Sequence, residues 1–576
     1  MAGQQEEELF LRAQLFTALI VTTLVSGCSG AAGSPSEGDE ADGGSGGGAS
    51  GGTTAPPPEV VPKPRDSACA GAAPKPGIAG LRKLTPFEYD NTVEELLRAT
   101  TKPGASFPAS QLVLGFDNNA DAVNASTLAV EQYQSAAETL ALAAVKDLPK
   151  LMGCNGGSAA AEDTCAKSFI KSFGLHAFRR PLTTAELDRF TRFYMDSKAP
   201  NGFTDSVRML VEAFLQSPHF LYRVEGAAKT GSVAAPYALA SRLSYLIWSS
   251  MPDETLFAAA ASGRLKGAGD VALQAQRMLA DDRAKRGVNN FFGQWLELSR
   301  VQRLEKDAEA NPTWTPAIAG LLRQETEAYV QDQVLGGKGN LKSLLTDPHS
   351  FINADLAKFY GLQAPAGSGF GRVNLNPKQR AGLLTQGALL AAAAKPRQSS
   401  PVARGYFVRD RLLCSPPPPP PANVNAKLPE PDGTATTRQR LESHRTDPSC
   451  RGCHELLDPV GLGFEHYDAV GLWRDQDEGK PVDATGKISS AGDADGAFDG
   501  AIELATKLAG SQTVQACFAK QFFRFAFARG ETDDDACTLD ALSVALGGND
   551  ATFARFIATL TQTDPFMYET QAGVGQ

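Results

Sequence analysis

The sequence predicts a mainly α, multi-domain protein: a helical body, a small module around one Cys-x-x-Cys-His pentapeptide, and a C-terminal helical domain. Three observations carry this reading. At 576 residues the chain is too long for one ordinary core. Helix-start signals recur along it, while period-two alternation of apolar residues is scarce. Six consecutive prolines, Pro416–Pro421, interrupt it with a segment that must be extended and cannot pair in a sheet.

The first element is an apolar run of 11 residues, Leu15–Val25, too short to span roughly 30 Å of hydrocarbon as a helix. Its length suits the core of a signal peptide. Val25-Ser26-Gly27-Cys28 follows and resembles a bacterial lipobox, in which the cysteine, here Cys28, takes a lipid and becomes the new N-terminus. The preceding residues depart from that pattern, with Glu6, Glu7 and Glu8 against a single Arg12 where a basic stretch is expected. Residues 1–28 therefore read as a lipoprotein signal, and 29–77, rich in Gly, Ser, Ala and Pro, as a flexible tether with too few apolar residues for a core.

Helical domains are expected at 78–145, 160–226 and 232–362. In the first, Thr85 stands as an N-cap, with Pro86 at the first helical position and Glu88 completing a capping box. Val93, Leu96 and Leu97 continue an apolar stripe. Thr183 and Glu186 repeat the device, and each cap follows a basic pair, Arg82-Lys83 or Arg179-Arg180. Further amphipathic helices are expected at 205–222, 237–249, 270–300, 315–335 and 377–394. The Cys-x-x-Cys-His module spans 376–482 and the last helical domain 495–570.

Composition excludes one class of partner. Hydrophobic residues make up 42% and charged residues 21%, ordinary for a globular chain, and the net charge is -10. No basic face stands out to neutralise phosphates, so nucleic acid is not an expected partner. The nine cysteines are 28, 69, 154, 165, 414, 450, 453, 517 and 537. With Cys28 assigned to lipid and Cys450 and Cys453 to the pentapeptide, six remain, an even number that suits disulfides in an exported protein. Cys154–Cys165 and Cys517–Cys537 are the favoured pairs, which leaves Cys69 with Cys414.

Cys450-Arg451-Gly452-Cys453-His454 carries the chemistry. Two cysteines three apart on a helical turn reach the two vinyl groups of a haem, and the next histidine brings an imidazole beneath the iron. Zinc would need a further pair of ligands at metal-site spacing, and a thioredoxin-like dithiol would follow a strand in an α/β unit. Neither context is present in the sequence. The expected cofactor is haem c, with His454 as the proximal iron ligand. His444 and His466 are the candidates for the sixth position, and the only methionine downstream is Met567. Asp458–Glu465 reads as a Pro/Gly-rich turn whose apolar residues wall a porphyrin edge. Asp117–Asp121 begins like a calcium loop but has Ala122 in place of glycine, and Asp493, Asp495 and Asp499 lack a full ligand set, so both read as turns.

The chain also resembles the multi-domain proteins of planctomycetes and myxobacteria built from domains of unknown function (1587, 1595, 1592, 1588 and 1585), one being a planctomycete-type cytochrome c domain. The likeness covers about 78 to 570. Leu81–Thr85 with Asn91-Thr92-Val93 is similar to the first domain, and Phe178–Thr183 with Ser217–Arg223 to the second. Leu239–Tyr245 with Trp248–Asp253 is similar to the third. Arg380–Thr385, Ser400–Gly405, His444, Cys450–His454 and Asp458-Pro459 are similar to the cytochrome-type domain, and Phe522–Gly530 to the last. The resemblance implies haem at Cys450, Cys453 and His454, places His444 above His466 as the sixth ligand, and implies no activity. The expectation is an exported, lipid-anchored haem protein of the cell envelope that transfers electrons to or from a redox partner. The alternatives are a haem-dependent, peroxidase-like oxidoreductase with an unknown small-molecule substrate, and a surface scaffold in which haem is structural.

Overall fold

The computed structural model describes residues 69, 75–76, 78–120, 126–154, 157–223, 234–418, 433–444, 448–568 and 571–572, without the side chains of 78–79, 443–444, 448–450 and 571–572. The apolar run 15–25, Cys28, most of 29–77 and the prolines beyond Pro418 lie outside the described residues. The described residues are 62% helical, and their strands form two-stranded sheets. Among the described residues, no helix is long and apolar enough to cross a membrane.

The first core is built between residues 82 and 223. Strand β1 (Arg82–Lys83) pairs antiparallel with β2 (Tyr222–Arg223), closing the ends of four helices. These are α1 (Pro86–Leu97), α2 (Thr127–Ala144), α3 (Ala159–Phe178) and α4 (Thr184–Leu215). The capping box of α1 forms as its residues dictate: Glu88 N–H donates to Thr85 Oγ1 at 3.2 Å, and Thr85 N–H to Glu88 Oε2 at 3.0 Å. Thr183 and Glu186 start α4 in the same way. That helix passes through non-helical backbone at Gly202 and stops at Leu215, so the expected helix at 205–222 is its second arm, cut short before Pro218. Tyr89, Phe107, Tyr133, Phe173, Phe214 and Phe220 fill the interior. Each such ring contributes about 1.5–3 kcal/mol through burial.

A second core runs from Ala234 to Met567 and takes in Phe116. It takes in α5 (Pro236–Trp248), α6 (Ala268–Leu279), α7 (Ala284–Trp295) and α8 (Pro316–Leu335), followed by the hairpin β3 (His349–Ile352) with β4 (Gly371–Asn374). Next come α9 (Pro401–Phe407), α10 (Thr437–His444) and α11 (Pro448–Gly461), then the hairpin β5 (Thr485–Ile488) with β6 (Gly496–Asp499). Helices α12 (Gly500–Ala509), α13 (Gln512–Phe527), α14 (Ala536–Leu546) and α15 (Phe553–Leu560) complete it. Phe291 of α7 meets Phe522 of α13 with ring centres 4.7 Å apart, so segments far apart in sequence share one interior. The two segments interlock: Phe116 packs on Phe291 and Phe525 of the second core, Tyr245 packs in the first, Thr92 Oγ1 meets Tyr245 OH at 3.0 Å and Asn91 Nδ2 donates to Ser249 O at 3.3 Å.

Two helix expectations are corrected. The span 270–300 is broken at 280–283, where Asp281 accepts the Arg283 N–H at 2.9 Å and starts a new helix, α7. The span 377–394 holds only a 3-10 turn, Leu383–Thr385, and a short helix, Gly387–Ala392. Gly382 has φ +64°, and a Cβ there would sit 1.9 Å from Leu345 O. Its apolar run is buried on all sides, which mimics a helical stripe without requiring a helix.

The disulfides are Cys154–Cys165, Cys69–Cys537 and Cys414–Cys517, with Cα atoms 6.0, 5.6 and 5.5 Å apart. The expected pairs Cys517–Cys537 and Cys69–Cys414 are thus exchanged. Cys517 lies about 15 Å along α13 from its C-terminal end at 1.5 Å per residue, whereas Cys537 sits at the start of α14. Packed side by side, the two helices hold these cysteines beyond the roughly 7 Å that a bridge tolerates.

Candidate functional site

The pentapeptide lies in α11, whose backbone stays helical from Pro448 through Pro459 to Gly461. The Asp458–Glu465 stretch is therefore not the turn its composition suggests. The helix continues to Gly461 and gives way to a 3-10 turn at Leu462–Phe464. At about 100° per residue, positions 450, 453 and 454 fall within one sector of the helix surface. Cys453 is a free, half-buried thiol, while the side chain of Cys450 lies outside the described residues. Arg451 and Glu455 pair at 2.7 Å in solvent, a contact of little energetic weight.

His454 is largely buried. Its Nδ1 lies 2.9 Å from Oδ1 and 3.0 Å from Oδ2 of Asp458, one turn along the same helix and without exposed surface. Because a carboxylate accepts, Nδ1 donates, and in the neutral imidazole this leaves the lone pair on Nε2, the atom an axial ligand needs. Reading the residues singly missed Asp458. The available signal was the four-residue spacing from His454, which on a helix places both on one face.

Close contacts fix the helix. A Cβ on Gly461 would sit 1.8 Å from Pro401 O, and one on Gly405 would sit 2.1 Å from Leu457 O, so α9 and α11 touch backbone to backbone. Beyond the helix, buried Arg404 donates to the carbonyls of Phe464, Tyr467 and Asp468 at 2.9, 2.7 and 2.7 Å. Burial pushes its guanidinium down to about 10, offset in part by Glu465. Glu465 accepts from Ser399 Oγ at 3.0 Å and Arg474 Nη2 at 2.8 Å, and burial raises its carboxyl. Arg474 Nη1 donates to Asp477 Oδ1 at 2.7 Å, and Asp477 Oδ2 accepts the Thr437 N–H at 2.6 Å at the start of α10. A polar chain, buried except at Arg474, therefore ties the exit of α11 to the helix that carries His444. None of this network was anticipated.

The other expected residues are placed as follows. His444 is the last residue of α10, and its side chain lies outside the described residues. His466 is half-buried, donates from Nδ1 to Arg474 O at 2.9 Å, and stacks on Trp473 with ring centres 4.4 Å apart. Asp493 caps α13 rather than a metal: it accepts from Ser511 Oγ at 2.8 Å and Thr513 N–H at 3.1 Å, and these bonds hold its carboxyl at about 2 despite partial burial. Among the described residues, no three His, Cys, Asp or Glu side chains converge as a metal cluster. A thiol beside an imidazole whose Nδ1 is engaged by a carboxylate is the donor chemistry of covalent haem attachment with one axial histidine, and the donor set fits that group.

Five family models match the chain, each described as a protein of unknown function: DUF1587 at 82–146, DUF1595 at 165–225, DUF1592 at 235–362, DUF1588 at 380–477 and DUF1585 at 495–566. The one that covers the pentapeptide carries the cytochrome-type label PSCyt3. No curated protein and no solved structure matches.

Proposed function

Because the chain belongs to the multi-domain proteins assembled from the DUF1587, DUF1595, DUF1592, DUF1588 and DUF1585 families, we propose that it is an exported, lipid-anchored c-type haem protein that carries electrons in the cell envelope. The observation that carries this reading is the helical Cys450-x-x-Cys453-His454 with the His454 Nδ1 held by Asp458. When bound, haem supplies a one-electron iron couple. Cys450 and Cys453 would attach it, His454 Nε2 would ligate the iron, and Asp458 would hold that ring. His444 and His466 are the candidates that would supply a second iron ligand. Lipid on Cys28 and the spacer 29–77 would keep the folded part near a membrane surface, within reach of a redox partner.

The test is to express the chain in a host that matures c-type haem, then record a pyridine haemochrome spectrum and an intact mass. One covalent haem per chain is expected. A mass equal to polypeptide plus lipid, with no Soret band, ends the proposal. His454→Ala should keep the thioether links and alter the axial ligation, and an unchanged spectrum would remove His454 from the iron.

A second reading, a haem-dependent oxidoreductase, draws support from the Asp458 carboxylate, since a more basic axial imidazole favours higher oxidation states of iron. A high-spin spectrum that shifts with cyanide or peroxide would favour this enzyme over the electron carrier.

A further inference from the structure

Far from α11 in sequence, a cavity of about 200 Å³ opens in the first core, lined by Lys83, Pro86, Phe107, Ser110, Ser126 and Tyr133 among others. Two of its polar side chains, Lys83 and Tyr133, lack partners among the described residues, while Ser126 accepts the Ala129 N–H at 3.2 Å. Lys83 projects from β1, is half-buried, and makes no ion pair or side-chain hydrogen bond with any described residue. Burial alone pushes its ammonium below the ordinary lysine value, as expected for a cation without a counter-charge. Tyr133 is only 7% exposed, lies edge-on to Phe107, and its hydroxyl makes no hydrogen bond with any described residue. Burial, with the Tyr222 phenol nearby, raises it to about 12, so at neutral pH it remains a donor.

Two helices also begin at this cavity. Pro86 is the first residue of the 12-residue α1, and Ser126 caps the 18-residue α2. Each brings the positive end of its dipole to the same space. Two described acids of α1 are engaged elsewhere. Glu88 accepts the Thr85 N–H at 3.0 Å and lies 3.9 Å from Arg223, while Asp90 accepts the Gly104 N–H at 2.7 Å. A half-buried cation, a buried phenol donor and two helix N-termini thus face one cavity, and no described anion pairs with the lysine.

We propose that this cavity binds a compact oxyanion, a carboxylate, sulfate or phosphate borne on a body no larger than a monosaccharide. The space holds on the order of ten waters, which sets that limit. Lys83 supplies the charge and Tyr133 a directed hydrogen bond, with the two helix termini adding to the local potential. The site is independent of the haem reading.

Calorimetric titration of the full chain at constant ionic strength tests it, with inorganic sulfate, inorganic phosphate, galacturonate and neutral galactose as probes. At least one anion should bind with Kd on the order of 1 mM or tighter, and galactose should not bind. Lys83→Gln should weaken binding at least about tenfold, and Tyr133→Phe about threefold, while Lys83→Arg should stay within about threefold of the native chain. Galacturonate binding above both inorganic ions assigns an acidic sugar, and the reverse order assigns a free anion. Absence of saturable heat with all three anions overturns the site. So does unchanged affinity in Lys83→Gln, or in Tyr133→Phe if the lysine variant fails to fold by circular dichroism.

Discussion

His454 Nδ1 and the carboxylate of Asp458 meet at 2.9 and 3.0 Å, one helical turn apart, with the acid wholly shielded from solvent. A hydrogen bond from an axial imidazole to a carboxylate makes the ring a stronger electron donor, which stabilises the ferric over the ferrous state. Asp458→Asn keeps the shape and weakens the acceptor. The variant should retain covalent haem while its reduction potential rises by on the order of 60 mV, one tenfold change for a one-electron couple. Spectroelectrochemistry on both proteins measures this, and equal potentials would reduce Asp458 to a helix-packing residue.

Features encoded within a few residues were legible in the sequence. The Thr85–Glu88 and Thr183–Glu186 boxes depend only on local spacing, and both form. The pentapeptide likewise declares its helix by proximity. What could not be read depends on partners far along the chain. Cys517 meets Cys414 because α13 packs beside the segment after α9, a relationship that no local pattern contains. Asp458 was hidden for another reason: Pro459 signals a break, and only a continuous helix puts residue 458 beneath the histidine. The chain from Glu465 to Asp477 was invisible because charged residues read as surface until the fold buries them.

The contact between α9 and α11 leaves no room for a methyl group at Gly461, where a Cβ would collide with the Pro401 carbonyl carbon and oxygen at 2.4 and 1.8 Å. Both obstacles are backbone, so relief requires the helices to separate. Gly461→Ala should destabilise the chain by about 3 kcal/mol, at the upper end for overpacking. In the haem-loaded protein it should also perturb the Soret band. Thermal unfolding followed at both the far-ultraviolet and the Soret wavelengths would reveal the coupling. A midpoint within a degree of the native one would mean that the helices adjust freely.

The Cys414–Cys517 bridge spans 103 residues and joins the segment after α9 to α13, so it constrains the unfolded chain over a long loop. Loop-closure entropy for that length is roughly 4.7 kcal/mol. Cys414→Ser with Cys517→Ser should lower the denaturant midpoint accordingly, whereas removal of Cys154–Cys165, separated by 11 residues, should cost less. Equal losses for the two bridges would argue that native packing, and not loop length, sets their worth.

Glu186 provides a pH signature within the first core. Two hydrogen bonds from Arg180, at 2.9 Å each, together with the Thr183 N–H at 2.8 Å, hold its carboxyl at about 2, below the ordinary 4.5. A folded value depressed below the unfolded one contributes stability that is complete above about pH 4.5 and disappears as pH falls through about 2. Arg180→Met removes the principal cause, and the partly exposed pair should cost about 1 kcal/mol at neutral pH. The gap between native and variant melting temperatures should therefore be widest at pH 6–7, narrow below about pH 4.5 and close towards pH 2. A gap that stayed constant across that range would assign the loss to the packing of the arginine stem on Phe178, 5.8 Å from its guanidinium carbon, instead of to the charge pair.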